Sequence, residues 1–186
     1  MNLEIFKALE TIERKGTIVY PTDTVWGIGC DATNDGSICL TCKTKQREES
    51  KSLIVLVDGW AMLEKYIPKI PTKVSCIISG SSKPTSVIYS NPKGLANNVI
   101  ADDNTVAIRI VKDEFCKELI HKFGKPIVST SANISGKTTA KSFDEIEKEI
   151  IEKADYVVNL HRDKKQNSVS QLVKVSKSGK IEFIRK

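Results

Sequence analysis

Between Lys125 and Gly136 the chain reads KPIVSTSANISG, an apolar run that stops abruptly in small polar residues. Ile127 and Val128 have the β-branched character of a buried strand, and Ser129, Thr130, Ser131, Ala132 and Asn133 follow directly. A strand that ends in short hydroxyl and amide side chains delivers donors and acceptors to a sheet edge, where a ligand's oxygens can be held with nothing bulky between. The same residues also suit a loop in which Ser or Asn side chains cap the next segment.

Two further segments share this character. Thr17-Ile18-Val19-Tyr20 is a short β-branched run that breaks at Pro21 into Thr22, Asp23 and Thr24, so a second strand carries hydroxyls at its end. Gly27 and Gly29 follow, where the backbone can turn or approach a neighbour closely. Lys45-Gln46-Arg47 then places two cations at i and i+2, with Lys51 beyond and the apolar strand Leu53–Val57 after it. On a helix such a pair diverges, but at a helix end both cations reach one polyanion, and a triphosphate suits them. A solvated basic helix end, favoured by the helix dipole, has the same sequence.

The remaining pattern alternates helices and strands with no repeat. A helix is expected from Asn2 to Lys15, ended by Gly16, and then the Thr17–Tyr20 strand. Helices follow at Ser37–Thr44, Trp60–Tyr66, after Pro71 to about Gly80, and Glu114–Phe123, the last stopped by Gly124. Strands are expected at Leu53–Val57, Thr85–Tyr89, Thr105–Ile110 and Ile127–Ser129. Ser142 with Glu145 three residues on reads as a capping box that opens another helix, and Asp155–Leu160, Leu172–Val175 and Ile181–Ile184 read as closing strands. The fold class is α/β, and the short closing strands imply a mixed sheet rather than a purely parallel one.

At 186 residues the chain is most simply one domain, 1–186. No window approaches an eighteen-residue uncharged apolar run, so no membrane span is expected. Glu4, Glu10 and Glu13 interrupt the apolar positions of the first segment, which therefore reads as a helix rather than a secretory signal, and a cytoplasmic location follows as the default. Cys30, Cys39, Cys42, Cys76 and Cys116 are odd in number and thinly spread, which argues against a disulfide framework. Cys39 and Cys42 form a Cys-x-x-Cys, but no second pair exists to complete a zinc site, so they read as small apolar fillers. A net charge of +6 admits nucleic acid as a partner, yet the Lys and Arg residues are scattered and lack interleaved aromatics for base stacking. A non-catalytic module that grips an RNA phosphate backbone is the alternative reading.

In order and spacing, YPTDTVWGIGCDA, KQR followed by KSLIVLV, TVAIRI and GKPIVSTSANISG resemble the YrdC-like threonylcarbamoyl-adenylate synthase family. Lys45, Arg47, Ser131 and Asn133 satisfy its Lys-x-Arg…Ser-x-Asn signature. The resemblance implies a single YrdC-like domain, a twisted mixed sheet flanked by helices with a basic concave cleft. It implies an enzyme that joins L-threonine, bicarbonate and ATP into threonylcarbamoyl-AMP and pyrophosphate, with Mg²⁺ accompanying the ATP and a separate transferase passing the product to tRNA. On that likeness Lys45 and Arg47 hold phosphate oxygens, while Ser131 and Asn133 donate to the phosphates or to an N-carboxylate of threonine. Thr22 lies beside threonine, Ser86 and Ser170 occupy threonine-side positions, and Arg109, Arg185 and Lys51 are further basic site positions. The chain departs from the family's pattern at Ser81–Ser86, where Trp-Pro-Gly-Pro-x-Thr is usual, at Val169–Val173, where Pro-Ser-Thr-Ile-Val is usual, and at Glu48, where Pro is usual.

Overall fold

Helix α1, Asn2–Glu13, turns Ile5, Ala8 and Ile12 inward in the computed structural model, which describes residues 1–47, 53–165, 169–175 and 180–185. Its last turn passes into the left-handed region at Lys15 (φ 65°), not at Gly16 as the sequence predicts. Gly16 serves clearance instead, because a Cβ there would stand 2.9 Å from Thr11 Cγ2.

The chain continues through β1 (Ile18–Tyr20), β2 (Gly27–Asp31), α2 (Asp35–Thr44), β3 (Ile54–Val57), α3 (Trp60–Tyr66), α4 (Thr72–Gly80), β4 (Thr85–Ser90) and β5 (Thr105–Ile110). It closes with α5 (Glu114–Phe123), β6 (Ile127–Ser131), α6 (Lys148–Lys153), β7 (Tyr156–Val157), β8 (Gln171–Val175) and β9 (Ile181–Arg185). Among the described residues the strands form one sheet in the order β7-β1-β2-β6-β3-β5-β4-β8-β9. The pairs β1–β7, β3–β5 and β4–β8 are parallel and the other five antiparallel, the mixed sheet expected from the sequence. Helix termini follow local chemistry: Asn34 caps α2 through Ser37 N, Asp113 caps α5 through Cys116 N, and Gly124 ends α5 at φ 71°.

Three expectations change. Strand β2 is read in the sequence only as two turn-forming glycines, yet all five of its residues are buried between β1 and β6. Ser142 makes no capping bond, because Phe143–Glu145 is a single 3-10 turn and Glu145 Oε2 accepts from Lys141 N (2.8 Å), one residue further back. The helix there starts only at Lys148. The Asp155–Leu160 strand shrinks to Tyr156–Val157, paired with β1.

A main core of Ile, Val and Leu side chains lies between the sheet and α1, α2, α3 and α5. A smaller cluster of Val19, Trp26, Ile28, Ala132, Ile134, Ile146 and Ile150 anchors the segment after β6. The fully buried Trp26 meets Phe143 at 5.0 Å between ring centroids. No helix of the described residues is long and apolar enough to cross a membrane.

Candidate functional site

Strand β6 runs as far as Ser131, so Ser129, Thr130 and Ser131 are strand residues paired with β2 rather than a loop beyond it. These residues line a cavity of about 280 Å³ that also takes in Thr22, Arg47, Arg109, Ser170 and Arg185. Thus Thr22, Arg47, Arg109, Ser131, Ser170 and Arg185, drawn from sequence positions over 160 residues apart, line one hollow. A larger cavity of about 510 Å³, between Lys69–Thr72 and Ile88–Asn91, contains none of the residues singled out in the sequence.

Arg47 follows α2 and donates from Nη1 to Thr130 Oγ1 (3.1 Å), which ties the basic turn to β6. Lys45, two residues earlier, is placed differently from the phosphate-facing position the sequence predicts. Its side chain is buried, and Nζ donates to the carbonyls of Ser131 and Asn133, the latter at 2.5 Å. Burial, seconded by the charge of Arg47, lowers the ammonium to about 8. Lys45 therefore acts as a strut that holds the end of β6 against the end of α2, and Ser135 N donates back to Lys45 O (2.8 Å).

Asn133 is likewise turned into its own loop. Its Nδ2 donates to the carbonyls of Ile134 and Lys137, both at 2.9 Å, so neither amide hydrogen is available to an anion in this arrangement. Of the signature residues, Arg47 and Ser131 face the cavity, while Lys45 and Asn133 brace the wall behind them. Lys51 lies outside the described residues.

The Pro21 turn is organised by Thr22, whose hydroxyl donates to Val25 O (2.7 Å), accepts from Thr24 N (3.0 Å) and lies 2.9 Å from Thr24 Oγ1. Asp23, the residue between Thr22 and Thr24, turns to Arg109 instead of to its own turn. Its Oδ1 stands 2.9 Å from Arg109 Nη2, with the two side chains 9% and 4% exposed. On the far side, Ser86 Oγ and Ser170 Oγ lie 3.0 Å apart, both buried. Arg185 donates from Nε to Ser170 O (2.8 Å) and from Nη2 to Ser170 Oγ (3.2 Å). Ser86 is thus one shell behind the cavity and acts on it through Ser170.

The sheet order divides the hollow. Arg47, Thr130 and Ser131 belong to the β6 side, whereas Arg109 and Arg185 belong to β5 and β9 and Ser170 immediately precedes β8, with Ser86 behind it on β4. With strands about 4.8 Å apart, β6 and β5, separated by β3, are about 10 Å apart. That span accommodates two anionic groups of one assembly rather than a single ion. Thr24 and Thr130, which the sequence places in the two hydroxyl clusters without a role of their own, also line the cavity, as does Thr139. Sequence reasoning misses Thr139, which nothing local marks and which the chain brings back only by folding.

None of the five cysteines is joined in a disulfide, and none lines the cavity. Among the described residues no three His, Cys, Asp or Glu side chains gather as a protein-built metal site requires.

The family model described as telomere recombination, which spans the Sua5, YciO and YrdC proteins, matches residues 10–186. A threonylcarbamoyl-AMP synthase of Pseudoalteromonas translucida is 34% identical over 159 residues, covering 83% of this chain and 84% of the relative. Among solved structures, E. coli YciO superposes with a TM-score of 0.85 at 18% identity, covering all of this chain and 90% of YciO. The P. abyssi Sua5 structure in complex with L-threonine superposes with a TM-score of 0.82 at 21% identity over 94% of this chain, which spans about half (51%) of that Sua5 chain.

Proposed function

This chain belongs to the Sua5/YciO/YrdC family, and on that premise we propose that it is an L-threonylcarbamoyladenylate synthase. The observation that carries the reading is the convergence of Arg47, Arg109 and Arg185 with Thr22, Ser131 and Ser170 on one hollow. Three guanidiniums line the hollow among the described residues, with Asp23 beside Arg109, a set that suits a triphosphate next to an amino-acid carboxylate.

In the reaction the threonine amine captures bicarbonate with loss of water, and the resulting N-carboxylate oxygen attacks the α-phosphorus of ATP. The bond from that phosphorus to the β-phosphate bridging oxygen breaks, and pyrophosphate leaves. No step demands a strong nucleophile from the protein, so the side chains act by bringing three reactants together and by stabilising charge with preorganised donors. Arg47 and Ser131 hold phosphate oxygens on the β6 side. Arg109 and Arg185 receive threonine's carboxylate on the other side, with Thr22 and Ser170 beside it and Ser86 fixing Ser170. Lys45 and Asn133 shape the wall that presents Ser131. Mg²⁺ enters with ATP as part of the substrate: Asp23 is engaged by Arg109, and among the described residues no three His, Cys, Asp or Glu side chains gather to hold the ion. A separate transferase then uses the product on tRNA.

The burial of Lys45 and Arg109 supports a small-ligand site over the RNA-backbone alternative, which needs its cations on an open face. Pyrophosphate release from ATP and bicarbonate, with and without L-threonine and again with L-serine, tests the assignment. Release that depends on threonine and is weaker with serine is expected; release indifferent to the amino acid would remove it.

A further inference from the structure

From the geometry of the Pro21 turn we infer that Asp23 is a positioning residue: it sets the guanidinium of Arg109 for the carboxylate of the amino-acid substrate. The inference rests on the reading of the cleft given above.

Arg109 projects from β5 at the level of Ser86, its register partner on β4, and lines the cavity. A guanidinium on a flexible stem, 4% exposed, keeps one orientation only if something holds it. Among the described residues Asp23 is the carboxylate paired with it, at 2.9 Å from Nη2, and that contact falls outside hydrogen-bond angles, because Oδ1 accepts no hydrogen bond. Arg109 Nε is also buried without a hydrogen-bond partner. A buried pair with donor capacity left over is a costly arrangement if stability is its only purpose, whereas it is the expected state of a guanidinium that has still to meet an anion.

Asp23 is itself held rigidly. The Thr22 hydroxyl reaches across it to Thr24 N and Val25 O, Lys112 N donates to Oδ2 at 3.4 Å, and Cys116 Sγ donates to Pro21 O at 3.5 Å just behind the turn. The carboxylate thus transfers the position of a fixed turn to a side chain from another strand. It also offsets part of the repulsion between Arg109 and Arg185, whose own guanidinium is disfavoured by burial and by the charge of Arg109.

A double-variant cycle of Asp23→Asn and Arg109→Ala, read by pyrophosphate release, tests this. D23N is expected to raise the KM for L-threonine at least about tenfold while the KM for ATP stays within about twofold. In the R109A background D23N should then change nothing further, and D23E should recover part of the loss. A ligand-free readout accompanies it: the side-chain ¹⁵Nε and ¹⁵Nη signals of Arg109, identified by their loss in R109A, should show hindered guanidinium rotation in the parent chain and free rotation in D23N. Effects of D23N and R109A that multiply independently, or a D23N protein in which Arg109 remains hindered and the threonine KM is unchanged, would overturn the inference. If D23N does not fold, D23E carries the test, with a raised threonine KM and altered Arg109 rotation expected and parent-like values of both counting against it. Hindered rotation that D23N abolishes, in a chain with no threonine-dependent release, would retain the pairing and discard the function.

Discussion

A methyl group has no room at Gly29. A Cβ there would lie 2.0 Å from Val128 O and 3.1 Å from the Tyr20 ring, so β1, β2 and β6 can approach as they do only because the residue is glycine. Gly29→Ala is expected to cost about 1–3 kcal/mol or more through overpacking, read as a lower urea midpoint with an unchanged m value. At the site, Arg47→Ala should lower kcat/KM for pyrophosphate release on the order of a hundredfold if, as proposed, Arg47 holds the transferring phosphates. Retention of activity within a few-fold would assign Arg47 a structural role, its bond to Thr130 included. Cys30 makes a different prediction. Burial pushes its thiol up to about 12, against about 9 in the unfolded chain. Between those values the folded state holds more protons, so stability falls as pH rises through that window, by up to about 1.4 kcal/mol per pH unit. In Cys30→Ala the fall in melting temperature above pH 9 should be less steep than in the parent, whatever the offset from the lost sulfur. At this scale the sequence was informative about residue type. Local company marked Arg47 and Ser131, and the family likeness alone pointed to Arg109 and Ser170, but neither could distinguish Arg47, which faces the cavity, from Lys45, which braces the wall.

Single elements were legible where their ends carry their own chemistry. Helix α5 is bounded by Asp113 and Gly124, buries Phe115, Cys116, Leu119 and Ile120, and matches the expected span of Glu114–Phe123. Because Asp113 accepts the Cys116 amide at 2.9 Å, Asp113→Ala should destabilise the fold by about 1 kcal/mol, measurable by chemical denaturation, with Asp113→Ser nearly neutral. Where an element depends on its neighbours, local reading failed. Strand β2 contains two glycines in five residues and has little intrinsic β preference; it is extended because β1 and β6 flank it and satisfy its backbone. The capping box at Ser142 failed for a related reason. The Trp26–Phe143 contact and Arg162, 4.2 Å above the Phe143 ring, draw this stretch onto the smaller core as a tight turn before a helix can begin.

For the molecule as a whole, the decisive fact is strand order. Strand β6 inserts between β2 and β3, and β8 and β9 add beside β4, so the hydroxyl-rich end of one strand faces arginines from β5 and β9. The alternation of apolar runs, the helix caps and the positions of Thr22, Arg47 and the Ser129–Ser131 cluster follow from local composition, because backbone preference, capping and periodic burial act over a few residues. The division of labour within the site does not. That Lys45 spans to the Ser131 and Asn133 carbonyls, that Asp23 finds Arg109, and that Arg185 clamps Ser170 depend on which strands lie side by side, and non-local pairing is settled by the burial and hydrogen bonding of the whole sheet rather than by any stretch of chain.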